Sequence, residues 1–253
     1  MVRRPTRFAS ERSVGLARAL SKLGYCSRSQ ARDLIRTGRV RLNGSARRDP
    51  ETPVRMGKDR IEVDGKAIAG VAKIYIMLNK PRGLVTTAQD EQGRDTIYSC
   101  LKKDLPWLAP VGRLDKASEG LLLLTNDSEW AARIALPANH VPKTYQVQIA
   151  GVKSADFAEA IANGIRVPEF GLMCAKSARI LRHGERNTWI EVILDEGKNR
   201  QIRRMLDALG AEVLRLIRVA IGPLELGDLP KGAYRGLSAK EKSSLDSRRS
   251  DRI

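Results

Sequence analysis

Two histidines and three cysteines are all that the 253 residues hold of the side chains most often used as metal ligands or as nucleophile–base pairs. With His140 and His183 alone, HExxH zinc sites and histidine-centred triads have almost nothing to be built from. Cys26, Cys100 and Cys174 are far apart, odd in number and without a CxxC pair. That usage fits free thiols in a reducing compartment and excludes a disulfide framework. There is no GxGxxG and no GxxxxGK[ST], and "KASEG" fails GxSxG because Lys116 stands where the first glycine belongs. The expectation is therefore an activity with no cofactor and no metal. No segment approaches the roughly 20 apolar residues that span a bilayer, and the Arg-rich start MVRRPTRFASERS lacks the apolar stretch of a secretory signal. A cytoplasmic protein without a membrane partner is expected. Aromatics are also scarce, three Trp, five Tyr and three Phe, so an extended base-stacking platform is unexpected and capture of a single base suits the composition better.

What the chain has in abundance is positive charge. Lys and Arg number 46 against 29 Asp and Glu, a net charge of +17, and such an excess usually serves a polyanion, nucleic acid first. At 42% hydrophobic residues the chain can still bury a sizeable core.

Residues 13–64 read as a small α/β unit after a basic, flexible stretch at 1–12. "SVGLARALSKLG" sets Leu16, Ala19, Leu20 and Leu23 at helical spacing and stops at Gly24; Ser27 with Gln30 has the pattern of a capping box opening a helix over 28–37. "VRLNG" and "DRIEVDG" read as strands running into Asn43-Gly44 and Asp64-Gly65 turns. On the second helix Arg28, Arg32 and Arg36 recur at i, i+4, i+8, a cationic stripe extended by Arg18, Lys22, Arg39 and Arg41. An isolated stripe of this kind is an ordinary solvated face; its continuation onto the next strand favours a binding surface. "LARALSKLGYCSRSQARDLIRTGRVRLNG" followed by "DRIEVDGK" resembles the alpha-L RNA-binding domain first seen in a ribosomal small-subunit protein. The resemblance implies phosphate contacts from the basic second helix and adjoining loop; Gly15, where Arg is common, and Cys26, where a small residue is usual, depart from it.

A polar connector over 65–72 leads to a larger region, 73–240. "KIYIMLNKPRG" and "GLLLLTND" suit buried strands, and "KTYQVQIAG" alternates with Tyr145, Val147 and Ile149 on one side. "TWIEVILDEG" repeats that pattern, and "NRQIRRMLDALG" is helical with Ile202, Met205, Leu206 and Leu209 inward. Strands and helices interleave without a regular βαβ rhythm, so the expected class is α+β with a mixed, largely antiparallel central sheet. The tail 241–253 lacks an apolar period and is expected to be disordered.

Within "VGRLDKASEGLLLLTND", Asp115 lies in a basic loop directly before a buried strand. The residues alone leave two readings open: a loop ion pair with Arg113 or Lys116, or a partly desolvated reactive carboxylate held ionised by a distant cation such as Arg203. Tyr145, Arg203 and Leu216 by themselves read as a core residue, a helix-surface residue and a core residue. Taken together, "GRLDKASEGLLLLTND", "KTYQVQI", "EGKNRQIRRMLDALG" and "LRLIRVAIGPLELGDLPKGAYRGL", in this order, resemble the pseudouridine synthases of the RsuA type over about residues 14–240. That resemblance implies isomerisation of a uridine in ribosomal RNA, free or in an assembling subunit, by a monomer without a cofactor. It implies Asp115 as the essential aspartate, Tyr145 as the aromatic stacked on the uracil, Arg203 as the arginine paired with the aspartate, and Leu216 with Arg113 and Lys143 as pocket lining. Arg94, Arg200 and Arg204 are expected to contact RNA. A non-catalytic assembly factor retaining the fold is the alternative.

Overall fold

Apolar residues between Leu16 and Val63 gather into a small core of their own. The computed structural model describes residues 13–88 and 90–246, so the basic stretch 1–12 and the last residues 247–253 lie outside the described residues. The described chain divides into two units, one ending at Lys73 and also taking in 104–108, the other comprising 74–103 and everything from 109 onward.

In the first unit β1 (Val14–Gly15) leads into α1 (Leu16–Lys22) and α2 (Arg28–Arg36), followed by β2 (Val40–Leu42), β3 (Ser45–Arg47), β4 (Pro53–Val54), β5 (Ile61–Val63) and β6 (Lys66–Ala67). Ser27 begins α2 as expected: its Oγ accepts from Gln30 N at 3.2 Å while Gln30 Oε1 accepts from Ser27 N at 3.0 Å, satisfying two N–H groups that the helix leaves open. Asn43-Gly44 and Asp64-Gly65 both turn with two successive positive φ angles, the geometry that matches strand twist in a two-residue hairpin. The sheet runs β3-β2-β5-β6, and β1 pairs with β4. Leu16, Leu20, Ala31, Ile35, Val40 and Val63 are among its buried core. Because the Asp64-Gly65 turn folds the chain back onto β5, Lys66 and Ala67 are a strand and Ile68 packs on the core, although the sequence places them in a connector. The first helix is likewise shorter than its pattern, since Val14 and Gly15 pair with β4.

The second unit comprises β7 (Tyr75–Lys80), β8 (Ala109–Val111), β9 (Glu119–Thr125), α3 (Ser128–Ala135), β10 (Lys143–Ala150), α4 (Ala155–Asn163), β11 (Ile165–Val167), β12 (Gly171–Met173), β13 (Ser177–His183), β14 (Asn187–Leu194), α5 (Gln201–Ala208), β15 (Val213–Ile221), β16 (Leu224–Glu225), β17 (Tyr234–Gly236) and α6 (Ala239–Asp246). Its main sheet is ordered β13-β14-β10-β15-β9-β7-β17, with β8 on β9 and β16 on β15. Every pairing along it is antiparallel except β15 with β9. The fold is thus the α+β class with the mixed, largely antiparallel sheet that the sequence predicts. Every residue of β9 is buried, which is why its leucines show no alternation. One core cluster gathers Val147, Ile190, Met205 and Leu216; another gathers Met77, Leu121, Leu123 and Trp130.

Helix α6 corrects the expectation of disorder from residue 241. A reciprocal box opens it, with Ser238 N donating to Glu241 Oε2 at 2.8 Å and Glu241 N to Ser238 Oγ at 3.2 Å. Arg235 grips Glu241, Asp246 takes Arg133 and Lys242, and Leu245 alone is buried in the core. A helix fixed by polar ends and one apolar anchor has no apolar period to read. Among the described residues no helix is long and apolar enough to cross a membrane.

Candidate active site

The loop between β8 and β9 carries Asp115, and its backbone is tied down peptide by peptide. Lys80, at the end of β7, is fully buried, and its amine donates to three carbonyls: Pro81 at 3.1 Å, Asp115 at 3.1 Å and Ser118 at 2.8 Å. Those bonds use all three donors of an ammonium. Burial pushes the Lys80 pKa down to about 8, with Asp115 and Glu119 opposing the fall, so the amine is still largely protonated at neutral pH. Thr86 Oγ1 donates to Leu114 O at 2.7 Å and accepts from Leu114 N at 3.3 Å; Gly83 N donates to Lys116 O at 2.8 Å; Arg203 Nη2 donates to Ala117 O at 3.1 Å. The carboxylate of Asp115, 38% exposed, is therefore reachable while its main chain is held.

Where the loop enters β9, Gly120 adopts φ +103° and faces Arg218 across the parallel pairing of β9 with β15. A β-carbon there would sit 2.2 Å from Arg218 O. Only glycine permits both the backbone conformation and the approach.

A cavity of about 480 Å³ opens beside this loop, and Arg113, Asp115, Lys143, Tyr145, Arg203 and Leu216, the six pocket residues expected from the sequence, all line it. The volume falls in the range of small-molecule sites. Lys143 and Tyr145 point to the same side of β10, and Leu216 and Arg218 to the same side of β15, where Tyr145 is registered opposite Arg218 and Val147 opposite Leu216. An irregularity in register between Thr144 and Tyr145 leaves Val219 without a partner on β10 and re-aims the strand at this point. Tyr145 is partly exposed, packed against the core on one side and lining the cavity on the other.

The expected pairing of Arg203 with Asp115 is not what forms. Asp115 Oδ2 lies 3.6 Å from Arg200 Nη1, and Arg203 is bonded to the Ala117 carbonyl instead. Arg200 takes a left-handed conformation, φ 52°, immediately before α5, which turns its side chain toward the loop, while Arg203 rises from the first helical turn toward the neighbouring peptide. Arg203 nonetheless feels the carboxylate: burial and Arg200 lower its pKa, and Asp115 opposes them. Gln201, which spacing alone marks as an ordinary helix residue, is buried and orders the approach to α5 by donating to Cys174 O at 3.0 Å and Glu196 Oε1 at 2.6 Å.

Two further arginines expected to contact RNA are engaged within the protein. Arg94 holds Asp90 with three bonds, from N at 2.8 Å, Nε at 3.0 Å and Nη2 at 2.6 Å, closing its own loop. Arg204 lies over the Phe170 ring at 3.3 Å and donates to Asn199. In the first unit Arg18, Arg28, Arg32, Arg36, Arg39 and Arg41 are all exposed. Arg39 is bound to Asp64 by Nε at 2.8 Å and Nη2 at 2.5 Å. Among the described residues no carboxylate pairs with Arg28, Arg32 or Arg36.

Comparison with known proteins agrees with these features. Residues 74–208 match the RNA pseudouridylate synthase family model, and residues 14–66 match that of the S4 domain. An RNA pseudouridine synthase of Aquifex aeolicus is 39% identical over 233 residues, 92% of this chain and 93% of that protein. The ribosomal large subunit pseudouridine synthase B of Bacillus subtilis is 35% identical over 231 residues, 91% of this chain and 94% of that protein. A solved pseudouridylate synthase structure superposes with a TM-score of 0.65 at 32% identity, covering 92% of this chain and all of that one. With an S4 domain at its N-terminal end, the chain belongs to the RNA pseudouridylate synthase family.

Proposed function

We propose that this protein isomerises a specific uridine in ribosomal RNA, acting as a cytoplasmic monomer on RNA that is free or within an assembling subunit, with Asp115 as the carboxylate that acts at the bond between base and sugar. One observation carries the assignment to Asp115: its carboxylate is reachable from a cavity of single-nucleotide size, on a loop whose peptides are held by Lys80, Thr86, Gly83 and Arg203. Holding a charged group in place before the substrate arrives is what allows it to favour the transition state over the ground state.

The target uridine has to leave its stack to reach this loop, at a cost on the order of a few kcal/mol. Tyr145, facing the cavity from β10, offers the flipped base a ring to lie on, and Leu216 offers an apolar wall. Arg200 stands 3.6 Å from the Asp115 carboxylate, and Arg203 fixes the peptide beyond it. The exposed guanidiniums of Arg28, Arg32 and Arg36 supply phosphate contacts that position the RNA without reading its bases.

Mapping pseudouridine by carbodiimide-blocked primer extension, after incubating unmodified ribosomal RNA with the protein or with Asp115→Ala, tests the reading. A new stop is expected with the first and none with the second. Equal stops with both would remove Asp115 from the chemistry, and no stop with the protein on either subunit's RNA, free or in particles, would remove the activity.

A further inference from the structure

The cavity lining includes two cations, Lys143 and Arg218, that form no ion pair with the described residues. Arg218 is 4% exposed, its Nε donates to Leu121 O at 2.7 Å, and its Nη2 is buried without a partner. Lys143, two residues from Tyr145 on the same face of β10, has its pKa lowered by burial and by Arg218, with Asp195 opposing. Most acids nearby are already engaged: Glu196 is 3.1 Å from Lys198, Glu119 is held by Arg215 and Lys231, and Asp115 is beside Arg200. Asp195, the one acid that acts on Lys143, does so at a distance and forms no ion pair with it. Buried positive charge without an acidic partner costs several kcal/mol unless something anionic arrives to meet it.

We propose that Lys143, backed by the charge of Arg218, binds the negative charge that uracil carries while it is detached from its sugar. The inference rests on the assignment of Asp115 and Tyr145 given above. Its chemistry follows from the isomerisation itself. When the C1′–N1 bond breaks, the electron pair leaves with the base, and the resulting uracil anion spreads its charge over N1, O2, O4 and C5. After the base turns, the pair at C5 forms the C5–C1′ bond. C5 then gives up its hydrogen and N1 gains one, so no oxidant, reductant or net proton is required. Lys143 and Arg218 flank the residue on which the ring lies, one along the strand from Tyr145 and one opposite it. Backbone phosphates, which stay hydrated at the mouth, meet the exposed cations Arg113 and Arg200 instead. A charge that exists only while the base is free is stabilised only then, so the pair raises turnover and leaves RNA affinity alone.

Single-turnover rates with excess enzyme, and separately the dissociation constant, are to be measured on an unmodified ribosomal RNA transcript. Lys143→Met is expected to slow turnover about 100-fold while changing affinity less than about 3-fold, and Lys143→Arg to recover to within about 10-fold of the parent. Arg218→Gln should behave like Lys143→Met, with Arg218→Lys partly restored. The Lys143 ammonium makes no hydrogen bond with the described residues, so its removal tests the idea even where Arg218 variants lose the Leu121 contact and fold poorly. A Lys143→Met protein that turns over within about 3-fold of the parent overturns the proposal, and so does one whose whole defect lies in RNA affinity. With Asp115→Ala inactive, either result fells this inference alone; an active Asp115→Ala fells the site assignment and this inference together.

Discussion

Both units present arginines, but under opposite physical conditions. On α2 of the first unit Arg28, Arg32 and Arg36 stand in water, where a charge costs little and each phosphate contact adds a salt-sensitive increment of affinity. In the second unit Lys80, Arg203 and Arg218 are partly or wholly withdrawn from water, and their hydrogen bonds run to main-chain carbonyls. A carbonyl satisfies the hydrogen of a buried cation without cancelling its charge, whereas a carboxylate does both. The cluster of Glu119 with Arg215 and Lys231, bonded at 2.8 and 2.6 Å, shows the second arrangement within the same sheet. Exposed cations can therefore set how tightly RNA is held, and buried, carbonyl-bound ones can set what happens to it.

This contrast can be broken or sharpened by substitution. The largest effect is expected from Asp115→Ala, which should lower single-turnover isomerisation at least about 10³-fold, or about 4 kcal/mol, with RNA affinity by filter binding nearly unchanged. Gly120→Ala should come next: a β-carbon 2.2 Å from Arg218 O forces β9 and β15 apart, costing about 3 kcal/mol or more in denaturant unfolding and removing activity with it. The Glu119 cluster gives a prediction in pH. Hydrogen bonding to Arg215, and then to Lys231, holds the Glu119 pKa at about 2, below its ordinary 4.5. A depressed carboxylate stabilises the fold above its unfolded pKa, so about 3 kcal/mol of stability should fade as pH falls from about 4.5 to about 2. Thermal melts across that range should show a shallower acid limb in Glu119→Gln, which starts from a lower stability.

Replacing both Arg28 and Arg32 by Ala is expected to weaken RNA binding about 10-fold and reduce the slope of log affinity against log salt by about 1.5, with turnover on saturating RNA intact. A loss of chemistry on prebound RNA would contradict the division between the two kinds of cation. The smallest effect is expected for Glu241→Gln at the start of α6, about 0.5 kcal/mol by chemical denaturation, because its ionic partner Arg235 is 41% exposed.

Much of the scaffold is legible in the sequence because one-dimensional signals survive where an element meets one environment along its length. The alternation in β10, the leucine run of β9 and the Ser27–Gln30 box are such cases. The six pocket residues were readable from motifs and are brought to one cavity. What spacing could not reveal are features decided by partners far along the chain or by a single dihedral angle. Lys80 ends an apolar strand and would ordinarily extend to water, and its burial depends on carbonyls 35 and 38 residues away. Whether Arg200 or Arg203 meets Asp115 turns on one left-handed residue before α5, which helical periodicity does not encode. The signal for α6 was present as Ser238 and Glu241 three apart, but without an apolar stripe behind it.

The parallel contact of β9 with β15 brings Glu119 and Gly120 against Ile217 and Arg218, almost a hundred residues later in the chain. During synthesis the loop bearing Asp115 emerges early, yet the wall carrying Leu216 and the floor at Arg218 do not exist until β15 has followed. Pairings of such long sequence separation are slow to form. A nascent chain cut short before residue 213 would thus display the carboxylate beside a chamber lacking Leu216, Arg218 and Ile221, and the cavity would be completed only in a late step of folding.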